Sequence, residues 1–267
     1  MITPKQILEE AQRLNTAEKN KMQINATTNR FPKMGIADSY AIQKAWMQLK
    51  KDSGRKVVGH KIGLTSKVMQ VAMGIDEPDY GVLLDDMVFE NNTIINASDF
   101  LDPKIEVELA FVLKKDLFGE DLTIEDVLDA TDYVVPALEL IAARSYRKDP
   151  KTGYVRTVKD TISDNAANAG IITGDEKVSP SSVDLRWVSA LLYKNGVIEE
   201  SGVAAAVLNH PAKGVVWLAK KYAQHNVALK AGQVILAGSF TRPIDVAAGD
   251  EIIADYGPLG KITINFS

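Results

Sequence analysis

The sequence Ile105-Glu106-Val107-Glu108-Leu109-Ala110-Phe111-Val112-Leu113 has the composition of a buried strand into which two carboxylates are set. Successive side chains on a strand point to opposite faces, so Glu106 and Glu108 share one face, about 7 Å apart along the chain. In an apolar sheet such a pair needs a cation or several hydrogen-bond donors, because an uncompensated buried charge costs several kcal/mol. An exposed edge strand with a solvated acidic face would show the same pattern, so this stretch alone leaves both interpretations open.

A third glutamate lies in a similar apolar run, Pro136-Ala137-Leu138-Glu139-Leu140-Ile141. Three carboxylates offer only oxygen ligands, which suit Mg²⁺ or Mn²⁺ better than zinc. We therefore predict a metal site formed by Glu106, Glu108 and Glu139, with open positions left for water and substrate.

Length and composition restrict the kind of protein. The chain has 267 residues, of which 46% are hydrophobic and 25% charged, enough for one large domain or for a domain with a smaller appendage. A net charge of -4 gives no sign of a nucleic-acid or anionic-membrane partner, and the absence of Cys excludes disulfides and thiolate chemistry. No run approaches the ~18 apolar residues of a membrane span and no apolar signal core opens the chain, so we expect a cytoplasmic protein.

A change of pattern divides the chain into two predicted parts. Residues 1–55 are predicted to form an N-terminal helical cap, with Thr3 capping one helix and Asp38 beginning a second. Residues 56–267 are β-rich, with short helices such as the one after Pro211, and lack the regular strand–helix alternation of a Rossmann fold or a TIM barrel. We predict an α+β fold that is mostly β with peripheral helices. Strands are predicted near residues 133–141, 169–173, 187–193, 233–238, 250–255 and 260–266.

Two charged residues are placed where chemistry is expected. Lys61 lies in an apolar strand between two glycines and offers a cation for a substrate or an acid–base group, unless its amine reaches the surface. Its neighbour His60 should face the other way and be packed or hydrogen-bonded. Asp79, in the turn Pro78-Asp79-Tyr80, is either ordinary turn chemistry or a polar group aimed into a cleft.

Other segments offer groups that could contact a ligand. Ser163 begins a run of small and amide residues, 163–170, which can surround a small polar molecule, and residues 238–243 have the same ambiguity. Arg144, which follows the Glu139 strand, could pair with a carboxylate through two hydrogen bonds.

Taken together, these segments resemble the hydratase and decarboxylase branch of the fumarylacetoacetate hydrolase superfamily. The resemblance runs over almost the whole chain in the same order. It rests on segments 59–66, 77–81, 105–111, 136–139, 163–170 and 238–243, and within the branch on 184–187 and 195–200. It implies a mixed β-barrel or roll with peripheral helices for the catalytic domain, residues 56–267.

The resemblance also implies a site. The three glutamates would bind Mg²⁺ or Mn²⁺, which would chelate the C1 carboxylate and 2-oxo oxygen of a small 2-oxo-enoate dicarboxylate. Lys61 and Asp79 would be the candidates for proton transfer and water activation, and Ser163 would line the chelated end. The far carboxylate needs a second cation, for which the candidates are Arg144, Lys67 and Arg242.

The implied reaction is the hydration of 2-oxohept-4-ene-1,7-dioate to 4-hydroxy-2-oxoheptane-1,7-dioate in homoprotocatechuate (4-hydroxyphenylacetate) catabolism. Two related activities stay open: decarboxylation of 2-oxo-3-hexenedioate (4-oxalocrotonate) and hydration of 2-hydroxypenta-2,4-dienoate from aromatic meta-cleavage. A hypothesis of another class is a non-catalytic partner subunit, against which the retained site residues argue. The resemblance further implies a homo-oligomer based on dimers, with pentamers and decamers both open.

Overall fold

Helices occupy the first part of the chain, and strands with short helices occupy the remainder. The structure, a computed structural model, describes residues 2–267 apart from the side chain of Ala72. Its helices are α1 (Pro4–Asn20), α2 (Thr27–Arg30), α3 (Ile36–Asp52), α4 (Lys67–Met73), α5 (Ile124–Ala130), α6 (Val158–Ser163) and α7 (Ala212–Ala223). Within this described part, no helix has the length and apolar character required to cross a membrane.

The strands form two sheets. They are β1 (Val57–Gly63), β2 (Asp79–Leu84), β3 (Val88–Phe89), β4 (Thr93–Ile95), β5 (Lys104–Leu113), β6 (Thr131–Ile141), β7 (Asn168–Thr173), β8 (Ser189–Lys194), β9 (Val197–Val203), β10 (Val234–Leu236), β11 (Ile244–Asp245), β12 (Glu251–Asp255) and β13 (Lys261–Phe266). The larger sheet has the order β2-β1-β10-β5-β6-β7-β3, with β11 beside β5, and the smaller has the order β4-β13-β12-β8-β9. The predicted mostly β, α+β fold is confirmed.

The two faces of strand β5 belong to different hydrophobic cores. Val107, Leu109 and Phe111 pack in a cluster with residues of the smaller sheet and of helices α5 and α7. Ala110 packs in a second cluster with residues of α1 and α3. Because side chains alternate along a strand, Glu106 and Glu108 lie on the Ala110 face, which the N-terminal helices partly cover.

The N-terminal helices begin through side-chain caps. At α1 the Thr3 hydroxyl accepts from the Gln6 N–H at 3.3 Å, and the Gln6 side chain accepts from the Thr3 N–H at 2.8 Å, as predicted. Helix α3 begins at Ile36, two residues before the predicted start, because the Asp38 carboxylate accepts from the Gly35 N–H at 2.8 Å and so lies inside the first turn. Met1, the first residue of the predicted cap, lies outside the described residues, and the division at residue 55 stays a prediction.

The predicted strands are observed, whereas several short or polar elements were missed. The six predicted segments correspond to β6, β7, β8, β10, β12 and β13. Strand β9 was missed because it lies at the edge of the smaller sheet and most of its side chains are exposed, so it has no apolar face to signal it. Helices α2 and α6 are four and six residues long, too short to show a helical hydrophobic period.

A buried ion pair joins the segment after β6 to the segment before β7. Arg144 Nε donates to Asp164 Oδ1 at 2.6 Å, and its Nη2 donates to the Asp164 carbonyl at 2.7 Å and the Asn168 carbonyl at 3.1 Å. The guanidinium carbon also lies 5.0 Å from the centre of the Trp46 ring. These contacts compensate the charge of Arg144 within the protein and give it a structural role, while its predicted contact with substrate stays a prediction.

Replacing Arg144 should therefore reduce stability strongly. Arg144→Gln leaves the buried Asp164 carboxylate without its main partner, and we expect the free energy of unfolding to fall by about 3–5 kcal/mol. Urea denaturation followed by circular dichroism measures this. The control Arg186→Gln, at an exposed residue, should change stability by less than about 0.5 kcal/mol. Equal effects of the two substitutions would contradict the structural role of Arg144.

Candidate active site

Three carboxylates converge on one face of the larger sheet. Glu106 lies directly opposite Glu139 in the antiparallel pairing of β5 with β6, and Glu108 lies two residues further along β5. One oxygen from each carboxylate lies within 4.8 Å of the others. Glu108 and Glu139 are each 1% exposed, and Glu106 is partly exposed. The alternative of a solvated acidic face is therefore wrong.

Several carboxylate oxygens in this cluster are buried without a hydrogen-bond donor. Glu108 Oε2 accepts from the Gly238 N–H at 2.8 Å. Glu108 Oε1 and Glu139 Oε2 have no hydrogen-bond partner among residues 2–267, and Glu139 Oε1 has only the Lys61 ammonium, 3.3 Å away. Unpartnered buried oxygens are costly, and an all-oxygen set of this kind fits a hard divalent cation such as Mg²⁺ or Mn²⁺. Glu106, Glu108 and Glu139 are thus suited to hold the predicted metal.

The carboxylates raise one another's affinity for protons. Burial, together with the Glu139 carboxylate, raises the pKa of Glu106 to about 8, against the opposing charge of Lys61. Burial and the two neighbouring carboxylates raise the pKa of Glu108 well above its ordinary value, and burial raises the pKa of Glu139. Without a metal, the cluster therefore opposes full ionisation.

Lys61 and Asp79 meet beside this cluster. Lys61 Nζ lies 3.3 Å from Glu139 Oε1, although β10 and β5 separate their strands, so the larger sheet curls around the site. Asp79 is the register partner of Gly63 on β1. A Cβ atom on Gly63 would lie 2.3 Å from Asp79 Oδ1 and 3.0 Å from Lys61 Nζ. The two predicted proton-transfer residues thus share the space beside Gly63.

The electrostatic surroundings raise the pKa of both residues, for different reasons. Burial by itself lowers the pKa of Lys61, but the surrounding carboxylates, Glu139 foremost, outweigh it and raise the pKa. Burial raises the pKa of Asp79, and the positive charge of Lys61 opposes that effect. In the part of the chain that the structure describes, Asp79 Oδ1 has no hydrogen-bond partner. Lys61 is therefore held as a cation, and Asp79 presents a carboxyl oxygen that has no partner among the described residues.

His60 faces away from the site, as predicted. Its Nδ1 lies 2.9 Å from the Tyr222 hydroxyl of helix α7. Burial lowers the pKa of His60 to about 4, so the imidazole is neutral at physiological pH. His60 is a packed, hydrogen-bonded residue on the opposite face from Lys61.

The run 163–170 lies against strand β2. The Asn165 side chain accepts from the Val82 N–H at 2.8 Å and donates to the Val82 carbonyl at 2.9 Å. Ser163 is fully buried, and its hydroxyl donates to the Lys159 carbonyl at 2.8 Å within α6. Its contact with the chelated end of a substrate stays a prediction.

The other cations proposed for the far carboxylate lie at the surface. The Arg242 side chain is 83% exposed and pairs with Glu200 at 2.8 Å. Lys67, the first residue of α4, is also exposed. Neither is buried as Lys61 is.

Two contacts to the cluster were not predicted from sequence. The Tyr256 hydroxyl donates to the carbonyls of Glu108 and Ala137, at 2.9 and 2.6 Å, and thus connects β5 with β6. The Gly238 N–H binds Glu108 directly, although residues 238–243 gave only an ambiguous signal. Tyr256 lies far from both strands in sequence, and no local pattern reveals such a contact.

The comparison with known families supports the resemblance. Residues 57–266 match the family described as fumarylacetoacetate (FAA) hydrolase C-terminal. The chain belongs to the fumarylacetoacetate hydrolase family. The prediction that the chain is an enzyme is confirmed at this level, because its relatives in the family are named as enzymes.

Individual members of the fumarylacetoacetate hydrolase family are similar over nearly their whole length. A 2-oxo-hept-4-ene-1,7-dioate hydratase from Escherichia coli is 57% identical over 256 residues, 96% of each chain. A 4-oxalocrotonate decarboxylase from Pseudomonas putida is 36% identical over 261 residues, 98% of this chain and 97% of the relative. The solved structure of 4-oxalocrotonate decarboxylase from Pseudomonas putida G7, complexed with magnesium and adipate, has a TM-score of 0.94 at 35% identity, covering 100% of this chain and 99% of that one.

The raised pKa of Glu106 predicts how the metal-free protein responds to pH. Between the ordinary pKa of 4.5 and the folded value of about 8, the folded state binds more protons than the unfolded state, so the free energy of unfolding falls as pH rises. Glu106→Gln removes this contribution. In EDTA, we expect the variant to gain stability relative to the parent between about pH 5 and about pH 9.

Urea denaturation at several pH values measures this difference. The matched control is Glu199→Gln, at an exposed residue of β9, whose stability relative to the parent should not depend on pH over this range. If the Glu106→Gln variant instead lost stability relative to the parent as pH rises, the pKa of Glu106 would not be raised in the folded state.

Proposed function

We propose that the protein is a metal-dependent hydratase that converts 2-oxohept-4-ene-1,7-dioate to 4-hydroxy-2-oxoheptane-1,7-dioate. The observation that carries the proposal is the 57% identity to the Escherichia coli hydratase over 96% of both chains. The convergence of three buried carboxylates with Lys61 and Asp79 supports it, because this reaction needs a cation and two proton movements. The reaction class is that of a carbon–oxygen lyase.

The residues that would hold the metal are Glu106, Glu108 and Glu139, whose converging carboxylates, with unpartnered oxygens on Glu108 and Glu139, fit Mg²⁺ or Mn²⁺. When bound, the metal supplies a Lewis acid for the substrate's carboxylate and 2-oxo oxygens, which makes the protons on C3 more acidic. The ion pair of Lys61 with Glu139 keeps a positive charge next to the same end of the substrate.

Lys61 and Asp79 would move the protons. In the substrate the double bond joins C4 and C5, and C4 does not attract water until that bond is conjugated with the ketone. Removal of a proton from C3 and addition of a proton at C5 shift the double bond to C3–C4. Water oxygen then bonds to C4 and a proton is added at C3, so that one water is gained overall. We assign removal of the C3 proton to Asp79, which has an unpartnered oxygen, and donation of a proton at C5 to the Lys61 ammonium. When water adds, the Lys61 amine takes a proton from the water and the protonated Asp79 donates one to C3, so both groups end in their starting states.

We retain three further expectations within this proposal. The reaction belongs to homoprotocatechuate catabolism, the enzyme is cytoplasmic, and it functions as a homo-oligomer based on dimers. All three rest on the sequence and its resemblance to the family.

A second candidate function is decarboxylation of 4-oxalocrotonate. The observation that favours it is the TM-score of 0.94 to a 4-oxalocrotonate decarboxylase, with 35% identity over the whole chain. Both reactions depend on withdrawing electrons toward the 2-oxo group, so the same carboxylates and lysine serve either. They differ in whether a carbon–carbon bond breaks or water is admitted.

Turnover of 2-oxohept-4-ene-1,7-dioate, followed by ultraviolet absorbance with Mg²⁺ and then with EDTA, tests the proposal. We expect turnover in the presence of Mg²⁺ and none in EDTA. Mass spectrometry should show that the product has the mass of the substrate plus one water. Lys61→Gln and Asp79→Asn should each lower the rate by roughly 10²–10⁴-fold because each removes a proton-transfer group. The control Lys56→Gln, at an exposed residue, should keep the parental rate.

Other outcomes identify the alternatives. Release of CO₂ from 4-oxalocrotonate without hydration of the seven-carbon substrate would favour the decarboxylase. Turnover of 2-hydroxypenta-2,4-dienoate alone would indicate the shorter hydratase. Metal binding without turnover of any of the three would revive the partner-subunit hypothesis.

Gly63 offers a separate test of the Lys61 and Asp79 geometry. In Gly63→Ala the new Cβ would lie 2.3 Å from Asp79 Oδ1, so the carboxylate must move. We expect kcat/KM to fall by about 10²-fold or more, since a displacement of about 1 Å can have that effect. The control Gly35→Ala, whose Cβ would meet only Asp38 Oδ2 at 3.8 Å, should retain activity. Full activity of Gly63→Ala would show that Asp79 does not act from this position.

A further inference from the structure

A hairpin formed by residues 147–156 connects β6 to α6 and carries an arginine on each arm. The Arg156 N–H donates to the Arg147 carbonyl at 3.0 Å, so the two residues are cross-strand neighbours. The Asp149 carboxylate stabilises the turn at the tip by accepting two backbone N–H groups, at 2.8 and 3.1 Å. The hairpin is therefore an ordered support for both guanidinium groups.

The Arg156 side chain is mostly buried, and the hydrogen bonds it makes within the protein come from one edge of its guanidinium. Its side chain is 8% exposed. Its hydrogen bonds to other described residues run from Nη1 alone, to the Ser145 carbonyl and to Asp164 Oδ2, both at 3.4 Å. Asp164 is already bound by Arg144 at 2.6 Å. Within residues 2–267, Nε and Nη2 of Arg156 have no acceptor, and these two donors form one edge of the guanidinium.

Asp164, the ion-pair partner of Arg156, is followed in sequence by a residue that lies against β2, the strand that carries Asp79. Asn165, the next residue after Asp164, lies against β2, where a Cβ on Gly81 would be 2.5 Å from the Asn165 carbonyl. Gly81 is the register partner of Lys61. In agreement with this placement, burial raises the pKa of Asp79, and Lys61 and then Arg156 oppose the rise.

The other candidate cations are occupied or exposed. Arg147 Nε donates to Asp102 Oδ2 at 2.5 Å and its Nη2 donates to the Asp102 carbonyl at 3.3 Å. Arg144 is used by Asp164 and by the backbone, and Arg242 is paired with Glu200 at the surface. Of these arginines, Arg156 alone combines a mostly buried side chain with two donors on one edge that have no acceptor in the described part of the chain.

We propose that Arg156 binds the far carboxylate of the dicarboxylate substrate through Nε and Nη2, while the 2-oxo end lies at the glutamate cluster. Two parallel N–H groups match the two oxygens of a carboxylate. Such a bidentate, charge-assisted pair of hydrogen bonds is stronger than hydrogen bonds between neutral groups. The inference rests on the proposed function and explains why the substrate would be a dicarboxylate. Arg156 then selects dicarboxylates over short monocarboxylates.

Binding of substrate analogues that cannot be hydrated tests this without turnover. The probes are 2-oxoheptanedioate and the monocarboxylate 2-oxopentanoate, titrated by calorimetry into the Mg²⁺-loaded protein. In Arg156→Gln we expect the Kd of 2-oxoheptanedioate to rise by roughly 10- to 100-fold, the range for a lost charge-assisted hydrogen bond, and that of 2-oxopentanoate to change by less than about twofold.

Further variants separate Arg156 from its rivals. Arg156→Lys keeps a point charge without the paired donors, so it should retain part of the dicarboxylate affinity, and it serves as the test if Arg156→Gln does not fold. Arg242→Gln and Lys67→Gln should leave both Kd values unchanged. Loss of dicarboxylate affinity in either of these instead of Arg156→Gln would overturn the inference, as would an equal loss for both probes.

Binding by the unaltered protein distinguishes the proposed function from the role of Arg156. If the unaltered protein binds neither probe, the proposed function and the role of Arg156 both fall. If it binds both probes but Arg156→Gln binds 2-oxoheptanedioate as tightly as the parent, only the role of Arg156 is overturned.

Discussion

The pairing of Glu106 with Glu139 across β5 and β6 is the constraint on which the rest of the structure depends. Like charges directly opposite on adjacent strands repel, and Glu108 adds a third carboxylate on the same face. The opposite face of β5 supplies the compensating free energy, because its side chains are buried between the two sheets. Each such apolar side chain contributes about 1.5–3 kcal/mol, so the five on that face can outweigh several kcal/mol of repulsion. They are Ile105, Val107, Leu109, Phe111 and Leu113.

Two groups of buried charges in this protein differ in how completely they are satisfied. Arg144 and Asp164 have partners for almost every donor and acceptor, and the pair fixes the loop before β7. In the glutamate cluster, by contrast, oxygens of Glu108 and Glu139 lack donors among the described residues. A satisfied network rigidifies a fold, whereas an unsatisfied one has capacity for a ligand. This difference distinguishes the Arg144–Asp164 pair from the glutamate cluster more clearly than burial, which both groups share.

The parts of the fold and site that could be predicted from sequence are those that depend on local pattern. Alternation along β5 placed Glu106 and Glu108 on one face, and the position of Lys61 in an apolar strand between glycines marked it as a candidate, although the sequence left open whether its amine reaches the surface. The sequence could not show that Glu139 lies opposite Glu106, because strand register depends on residues far apart in the chain. For the same reason the sequence could not show that the carboxylate paired with Arg144 is that of Asp164, twenty residues away. Arg156 gave no signal, since it lies in a polar loop whose proximity to β2 arises only through Asp164 and Asn165.

The glutamates and Lys61 lie on strands, whereas Arg156 lies on a hairpin, and this difference affects which positions can change among related enzymes. Glu106, Glu139 and Lys61 lie on strands of one sheet, where a change in any of them would disturb the others. Arg156 lies on a hairpin outside both sheets, where substitutions leave the strand register untouched. A hydratase and a decarboxylase share the need to withdraw electrons toward the 2-oxo group, and this chain keeps nearly the same backbone as a decarboxylase at 35% identity. The carboxylate cluster thus lies on the sheet and Arg156 on a peripheral hairpin, where substitutions can change the contacts available to a ligand without altering the strand register.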